Sequence, residues 1–310
     1  METQLKQQIK STQRTKGSRW FYQWINSDSF TAIVFLVIPM ILLFMTKFYP
    51  IFYNFVISFT NFDLSPTYQY IGLKNYEEIF GNPVLIKSIV NTLLFTLGVV
   101  PVGTVLALVI AALLNQPIRG RVLFRILYYL PGVTAVTAVA LVWRWIFNPQ
   151  SGLINQGLDI FGIPGPGWLT EPSTALISII IIQLWSSIGG NMVVFLAGLQ
   201  GIPSELYEAA QIDGAKGWQS FLYITVPMLS PVTLFVVVTY TIAVFRSFGL
   251  TFLLTQGGPS YSTTTLVWEI YETAFGYLRF GLGAAISVVL LLTILLISVP
   301  FRLFTREDLA

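Results

Sequence analysis

The stretch ELYEAAQIDGAKGW, Glu205–Trp218, is acidic, alanine-rich and broken by glycines, yet it lies between two of the most apolar segments of the chain. Its local signals describe a capped helix that stops at a glycine. Ser204 is a good N-cap, and Glu205 suits the positive end of the helix dipole. LYEAAQID is rich in strong helix formers, with Leu206, Ala209, Ala210 and Asp213 along one face. Gly214 is able to take the left-handed conformation that ends a helix, and AKGWQSF then starts a second helix leading into the next apolar run. Ala209 and Ala210 on an exposed shoulder permit close approach by another protein's backbone. Glu208 beside them offers a carboxylate to a basic side chain. The plain alternative is a capped loop helix with no partner.

Composition says what surrounds this helix. Of the 310 residues, 55% are hydrophobic and 10% charged, with mean hydropathy +0.72, where a soluble domain carries roughly 25% charged residues. The solvent for most of the chain is therefore lipid. With no Cys and no His, disulfides, thiol nucleophiles, imidazole bases and the usual zinc, haem and iron–sulfur ligands are excluded. No acidic pair lies within an apolar run, so no catalytic constellation or metal site is evident. The net charge of +3 gives no indication of a nucleic-acid partner.

Crossing the hydrocarbon takes about 20 apolar residues, and the segments 30–49, 84–114, 122–147, 173–199, 220–248 and 280–304 qualify. The expectation is an all-α integral membrane protein with six spans. The first span has apolar sequence enough to run on to Phe59, and Pro39, Pro101, Pro131, Pro227 and Pro231 predict a bent, packed bundle. Residues 1–29 read as a cytoplasmic segment with an interfacial aromatic anchor (Trp20, Phe21, Tyr22, Trp24), 30–304 as the transmembrane domain, 201–219 as a cytoplasmic loop and 305–310 as a cytoplasmic tail. Lysines and arginines set the orientation. With the N-terminus in the cytoplasm, that side holds Lys6, Lys10, Arg14, Lys16, Arg19, Arg119, Arg121, Arg125, Lys216, Arg302 and Arg306. The opposite side holds only Lys74, Lys87, Arg144 and Arg279, so both termini are expected to be cytoplasmic. Lys47 reads as a snorkelling charge at a span end. The outer loops 60–83, 148–172 and 249–279 are candidate docking surfaces, with SGLINQGLDIF a short surface helix.

The spacing in the cytoplasmic loop is the decisive motif. Glu208-Ala209-Ala210, three residues, Gly214, nine residues and Ile224-Thr225-Val226-Pro227 resemble the EAA signature of ABC importer permeases, with Val226 where Leu is usual. YIGLKNY (70–76), LYYLP (127–131), VWRWIFNPQSGLIN (142–155) and LTQGGPSYSTTTLVWEIY (254–271) are similar to the binding-protein-dependent sugar permeases of the maltose and glycerol-3-phosphate importer type. Among these the chain is similar to the maltose F-type first subunits, without their extra N-terminal spans or large outer insertion. The resemblance implies the MetI-like fold of type I ABC importers and a place in a bacterial inner membrane. It implies a second permease subunit, two ATP-binding cassette subunits and an extracytoplasmic solute-binding protein. The EAA helix would then seat in a groove of one ATPase, with Glu208 meeting a basic residue there. No segment here has the P-loop spacing G-x-x-x-x-G-K-[ST]. No cofactor is expected in the chain itself, ATP and Mg being held by the ATPase partners.

Polar residues in spans mark a path or a partner helix. QLWSSIGGNM places Gln183, Ser187 and Asn191 at four-residue spacing, with Trp185 nearby. Amides, hydroxyls and an aromatic face suit a neutral polyol, and the resemblance puts Gln183 and Ser187 at positions that contribute to a sugar site. Hydrogen bonding to the second permease is the competing reading. Arg246, in AVFRSF, either favours an anionic solute such as a polyol phosphate or pairs with a partner carboxylate. A self-sufficient secondary transporter or channel would need intramembrane carboxylates or a repeated half. The sequence offers neither.

Overall fold

The computed structural model describes residues 28–304. The expected N-terminal aromatic anchor, Arg306 and the tail 305–310 lie outside the described residues. The described part is helical throughout apart from its loops, with one isolated bridge between Thr60 and Tyr70. Two compact units divide at Val56/Ile57.

In the first unit, α1 (Asp28–Leu43) passes through a π-helical turn, Phe44–Phe48, into α2 (Tyr49–Ile57), whose last residue is the first of the second unit. The cause is Pro50, which cannot donate the next backbone bond; the Tyr49 N–H reaches the Phe44 carbonyl instead. The apolar helix thus continues to Ile57, as the run to Phe59 allowed. Lys47 consequently stands in its interior, in the π turn, rather than at a span end.

The second unit opens with α3 (Lys74–Gly81) and α4 (Pro83–Asn115). Asn82 caps α4 by accepting from the Val84 N–H at 2.9 Å, and Pro83 supplies the favoured first residue. Then come α5 (Arg121–Val133), α6 (Val136–Ile146), α7 (Leu153–Asp159) and α8 (Ala175–Leu199). The cytoplasmic-type stretch forms α9 (Ser204–Ile212) and α10 (Gly217–Ser220). It is followed by a π-helical turn (Phe221–Thr225), α11 (Val226–Met228), α12 (Ser230–Phe245) and α13 (Gly249–Leu254). α14 (Leu266–Tyr271), a π-helical turn (Glu272–Gly276) and α15 (Phe280–Phe304) complete the described chain.

Helices α4 and α8 form the most extensive pair, and α12 packs against both. Phe95, Val99, Ile179, Ile182, Tyr240 and Val244 fill one core layer. Ala107, Ala111, Met192, Phe195, Leu229 and Val236 fill another, and Ile79, Leu85, Leu266 and Ile286 bind α3 and α14 to α4 and α15.

Two expected spans take a different form. Residues 122–147 are not one straight crossing: α5 and α6 meet at 100°. Pro131 withholds a backbone donor, Gly132 adds no helix propensity, and Thr134 and Ala135 adopt extended backbone that ends α5. The span expected at 220–248 becomes Ser230–Leu254, because the π turn and Leu229 interrupt the helix around Pro227 and Pro231. Among the described residues, five helices or helix series are apolar and long enough to cross a membrane, or six if the bent pair counts as one.

The loop motif around Gly257 is tied down by hydroxyls and an amide. The Asn91 amide of α4 donates to the Tyr261 and Thr264 carbonyls, both at 3.0 Å, and Thr92 accepts from the Leu266 N–H at 2.9 Å. Thr263, Thr264 and Thr265 are buried there. The turn-rich stretch 162–168 folds back so that Trp168 donates to Asn155 of α7 at 2.6 Å.

Candidate functional site

The coupling-type segment has the expected helix–glycine–helix form. Pro203, not Ser204, holds the cap position: its fixed φ and extended ψ (−58°, 132°) let the helix start at Ser204, one residue earlier than expected. Gly214 sits at φ +80°. The Gly214 N–H reaches the Gln211 carbonyl at 3.1 Å, and the Ala215 N–H reaches Ala210 at 2.9 Å. This doubled closure satisfies the last carbonyls of α9 and demands the left-handed residue. Glu208, Ala209, Asp213 and Gly214 are exposed, whereas Ala210 is half-buried on the inner face, as is Tyr207. Ile212, one turn beyond Glu208, is 87% exposed, and Trp218 of α10 is 58% exposed, so the segment presents apolar as well as acidic surface.

A second feature is a cavity of about 520 Å³ where two helix interruptions meet the face of α8. Thr134 and Val136 come from the α5–α6 bend, Gln183, Ser186, Ser187 and Gly190 from α8, and Ser247 from the break between α12 and α13. Ser247 donates to the Gln183 side-chain oxygen at 2.9 Å. The Ser187 hydroxyl bonds the Gln183 carbonyl at 2.6 Å and pairs with the Tyr240 hydroxyl. Among the described residues, no carboxylate or ammonium lines this cavity.

The four-residue stripe is thus brought together only in part. Gln183 and Ser187 line the cavity; Asn191 and Trp185 do not. Each four-residue step on a helix rotates by about 40°, so Asn191 has turned roughly 80° away from Gln183. Trp185 projects from another face, where its ring meets Trp143 edge-on at 5.5 Å. Arg246 is exposed at the C-terminal cap of α12, next to the cavity residue Ser247, and makes no ion pair among the described residues. Thr134 and Ser247 were absent from the sequence expectation; their signal was a small polar residue beside a helix break.

Comparison with known proteins decides the family. The model described as "binding-protein-dependent transport system inner membrane component" matches residues 100–306. The chain belongs to that family. This permease is 36% identical to a probable ABC transporter permease protein of Pyrococcus horikoshii over 272 residues, covering 87% of the chain and 93% of the relative. It is 34% identical to a lactose transport system permease of Rhizobium radiobacter, covering 94% and 96%. An sn-glycerol-3-phosphate transport system permease of Pectobacterium atrosepticum is 35% identical, covering 77% and 81%. Its fold matches a chain from a crystal structure of a bacterial alginate ABC transporter in complex with an alginate pentasaccharide-bound periplasmic protein. That match has a TM-score of 0.78 and 23% identity, with 92% and 97% of the two chains covered. The permease is therefore a multi-pass membrane component of an ABC importer with the MetI-like helical fold.

The loop region of the permease holds one further cleft, of about 390 Å³, lined by Glu78, Glu269, Glu272, Arg279, Trp268 and Tyr277 among others. Arg279 grips Glu78 with both terminal nitrogens, at 2.7 and 2.5 Å. Burial holds the Glu269 carboxyl above the usual carboxylate range; the Thr264 hydroxyl opposes this and Glu272 adds to it. A raised folded-state value means that Glu269 favours the folded state below its ordinary value and loses that contribution as pH rises through the folded value. Glu269→Gln should therefore raise the thermal midpoint at neutral pH. The advantage should vanish as pH falls toward the ordinary carboxylate range, as thermal unfolding in detergent across pH would read.

Proposed function

We propose that this chain is one of two dissimilar permeases of an ATP-driven importer, crossing the membrane six times with both termini in the cytoplasm. The α5–α6 pair then forms the bent third crossing, and 201–219 is the cytoplasmic coupling loop. Arginines and lysines support this orientation: Arg119, Arg121, Arg125 and Lys216 fall on the side assigned to the cytoplasm. ATP and Mg bind to two ATPase subunits, consistent with the absence of P-loop spacing from the sequence. Closure of those subunits drives α9 and rocks the helices between inward- and outward-open states. An extracytoplasmic solute-binding protein delivers the solute to the outer loops.

The solute is a sugar, from a disaccharide to a small oligosaccharide or glycoside. The observation that carries this is the neutral, hydrogen-bonding cavity between the α5–α6 bend, α8 and Ser247. An uncharged wall of amide and hydroxyls replaces water around a polyol without desolvating an ion. A polyol phosphate is the second reading, favoured by Arg246 beside Ser247, an arginine with no ion pair among the described residues.

The test is uptake into proteoliposomes, using a panel of sugars and polyol phosphates first screened for binding to the cognate solute-binding protein. Sugar uptake should require both permeases, the ATPase and the binding protein. Gln183→Ala should lower it by about tenfold, the loss expected from one desolvated hydrogen-bonding site. Uptake by this chain alone would overturn the subunit assignment. Preference for a phosphorylated solute, abolished by Arg246→Gln, would select the second reading.

A further inference from the structure

The helix α9 is loosely held. It buries none of its residues, and among the described residues one side-chain hydrogen bond joins it to another element. That bond runs between the Tyr207 hydroxyl and the Thr225 hydroxyl, at 2.9 Å. Thr225 is buried and is the last residue of the π-helical turn Phe221–Thr225. Around that bond α9 overlies a cleft of about 420 Å³, lined by Tyr207, Thr225, Asn115, Gln116, Gln211 and Ser220 among others.

The location of Thr225 gives the bond its consequence. Pro227 cannot donate a backbone hydrogen bond, so the Val226 N–H reaches back five residues to Phe221. Leu229 then leaves helical geometry, at φ −86° and ψ 2°, before α12 starts at Ser230. Residues 221–229 are thus a soft joint at the base of a main bundle helix. A push on α9 has two routes to that joint. One is the chain itself, through the Gly214 elbow, which two backbone hydrogen bonds close onto α9. The other is the Tyr207–Thr225 contact, which crosses the cleft and meets the joint directly.

The geometry points to Tyr207 and Thr225 as a coupling strut, a pair of positioning residues that carries displacement of α9 into the base of α12. This rests on the reading of α9 as the helix that ATPase subunits drive. Without the strut, motion of α9 is absorbed at Gly214 and the cleft, and nucleotide turnover is no longer matched by movement of the bundle. A net hydrogen bond contributes about 0.5–1.5 kcal/mol, which corresponds to roughly a two- to tenfold change in the coupled step.

The experiment uses the complete transporter in proteoliposomes, with sugar uptake and ATP hydrolysis measured on the same preparation. Tyr207→Phe and Thr225→Val should each lower sugar moved per ATP by about two- to tenfold while hydrolysis stimulated by the binding protein persists. Thr225→Ser keeps the hydroxyl and should keep the wild-type ratio. Unchanged ratios in Tyr207→Phe and Thr225→Val would overturn the strut. So would a parallel fall of uptake, hydrolysis and recovered complex, or a Thr225→Ser variant that behaves like Thr225→Val. A Glu208→Gln/Gly214→Val chain run beside them separates the two claims. If it transports normally, the coupling-helix reading fails and the strut with it. If it loses transport while Tyr207→Phe does not, the strut alone fails.

Discussion

A chain carrying both Glu208→Gln and Gly214→Val should lose sugar uptake by at least about tenfold, and toward a hundredfold if the two effects add, while the subunits still co-purify. The two changes act on different physics. Glu208 is exposed on α9 with no ion pair among the described residues, so removing its charge leaves no orphaned group within the chain. On the proposed coupling role, what it removes is a charge-assisted contact to an ATPase subunit, worth about 1.5–3 kcal/mol. Gly214 acts through backbone. Open space surrounds it, so an added Cβ meets nothing within 4 Å. Its cost is conformational: at φ +80° a β-branched residue is strained by about 1–3 kcal/mol, and the doubled closure of α9 opens. Each route alone approaches a tenfold change, at about 1.4 kcal/mol per factor of ten. Wild-type uptake in the double variant, with subunit recovery confirmed, would remove α9 from the coupling path.

How far the sequence reached depends on what kind of signal each feature leaves. The span expected at 84–114 is observed as Pro83–Asn115, because Asn82-Pro83 writes the cap into the sequence. The EAA helix was equally legible, its end fixed by one glycine. The α5–α6 bend was not. Pro101 and Pro131 look alike as prolines within apolar runs, yet Pro101 sits inside a continuous helix while Pro131 precedes a 100° bend. The difference lies in the residues C-terminal to each proline, Val102 continuing the helix and Gly132 through Ala135 leaving it, and in whether neighbouring helices support the freed carbonyl. The fifth span shifted for a related reason: hydropathy counts Phe221–Leu229 as membrane, but two prolines four residues apart prevent one helix from running through. The cavity was half legible. Helical spacing found Gln183 and Ser187, since both lie on one regular element. Thr134 and Ser247 reach the same cavity from helix breaks, where periodicity carries no information. Asn91 and Thr92, which secure the loop 257–265, had a visible signal in the polar positions Ser88, Asn91, Thr92 and Thr96 along an apolar helix.

Gly189→Ala should be the most damaging single-methyl change near the cavity, and Gly190→Ala should leave the thermal midpoint unharmed. The two glycines are adjacent in sequence and opposite in surroundings. A Cβ at Gly189 would overlap the Tyr128 peptide, lying 2.6 Å from its carbonyl carbon and 2.7 Å from the Tyr129 Cα. Those are backbone atoms of α5, so no rotamer change relieves the overlap; α5 must move off α8. A Cβ at Gly190 meets nothing within 4 Å, and alanine is the better helix former there by about 1 kcal/mol. Overpacking of this kind costs about 1–3 kcal/mol and sometimes more, a drop of roughly 2–5 °C in thermal midpoint for a chain of this size. Function should fall further than stability. Displacing α5 shifts Pro131 through Thr134, which form one wall of the cavity that Gln183 and Ser187 face. Thermal unfolding of the purified complex and sugar uptake by the same preparation check both parts. Equal behaviour of the two alanine variants would mean that α5 does not rest against α8 at Gly189, and the bend that shapes the cavity would lose its support.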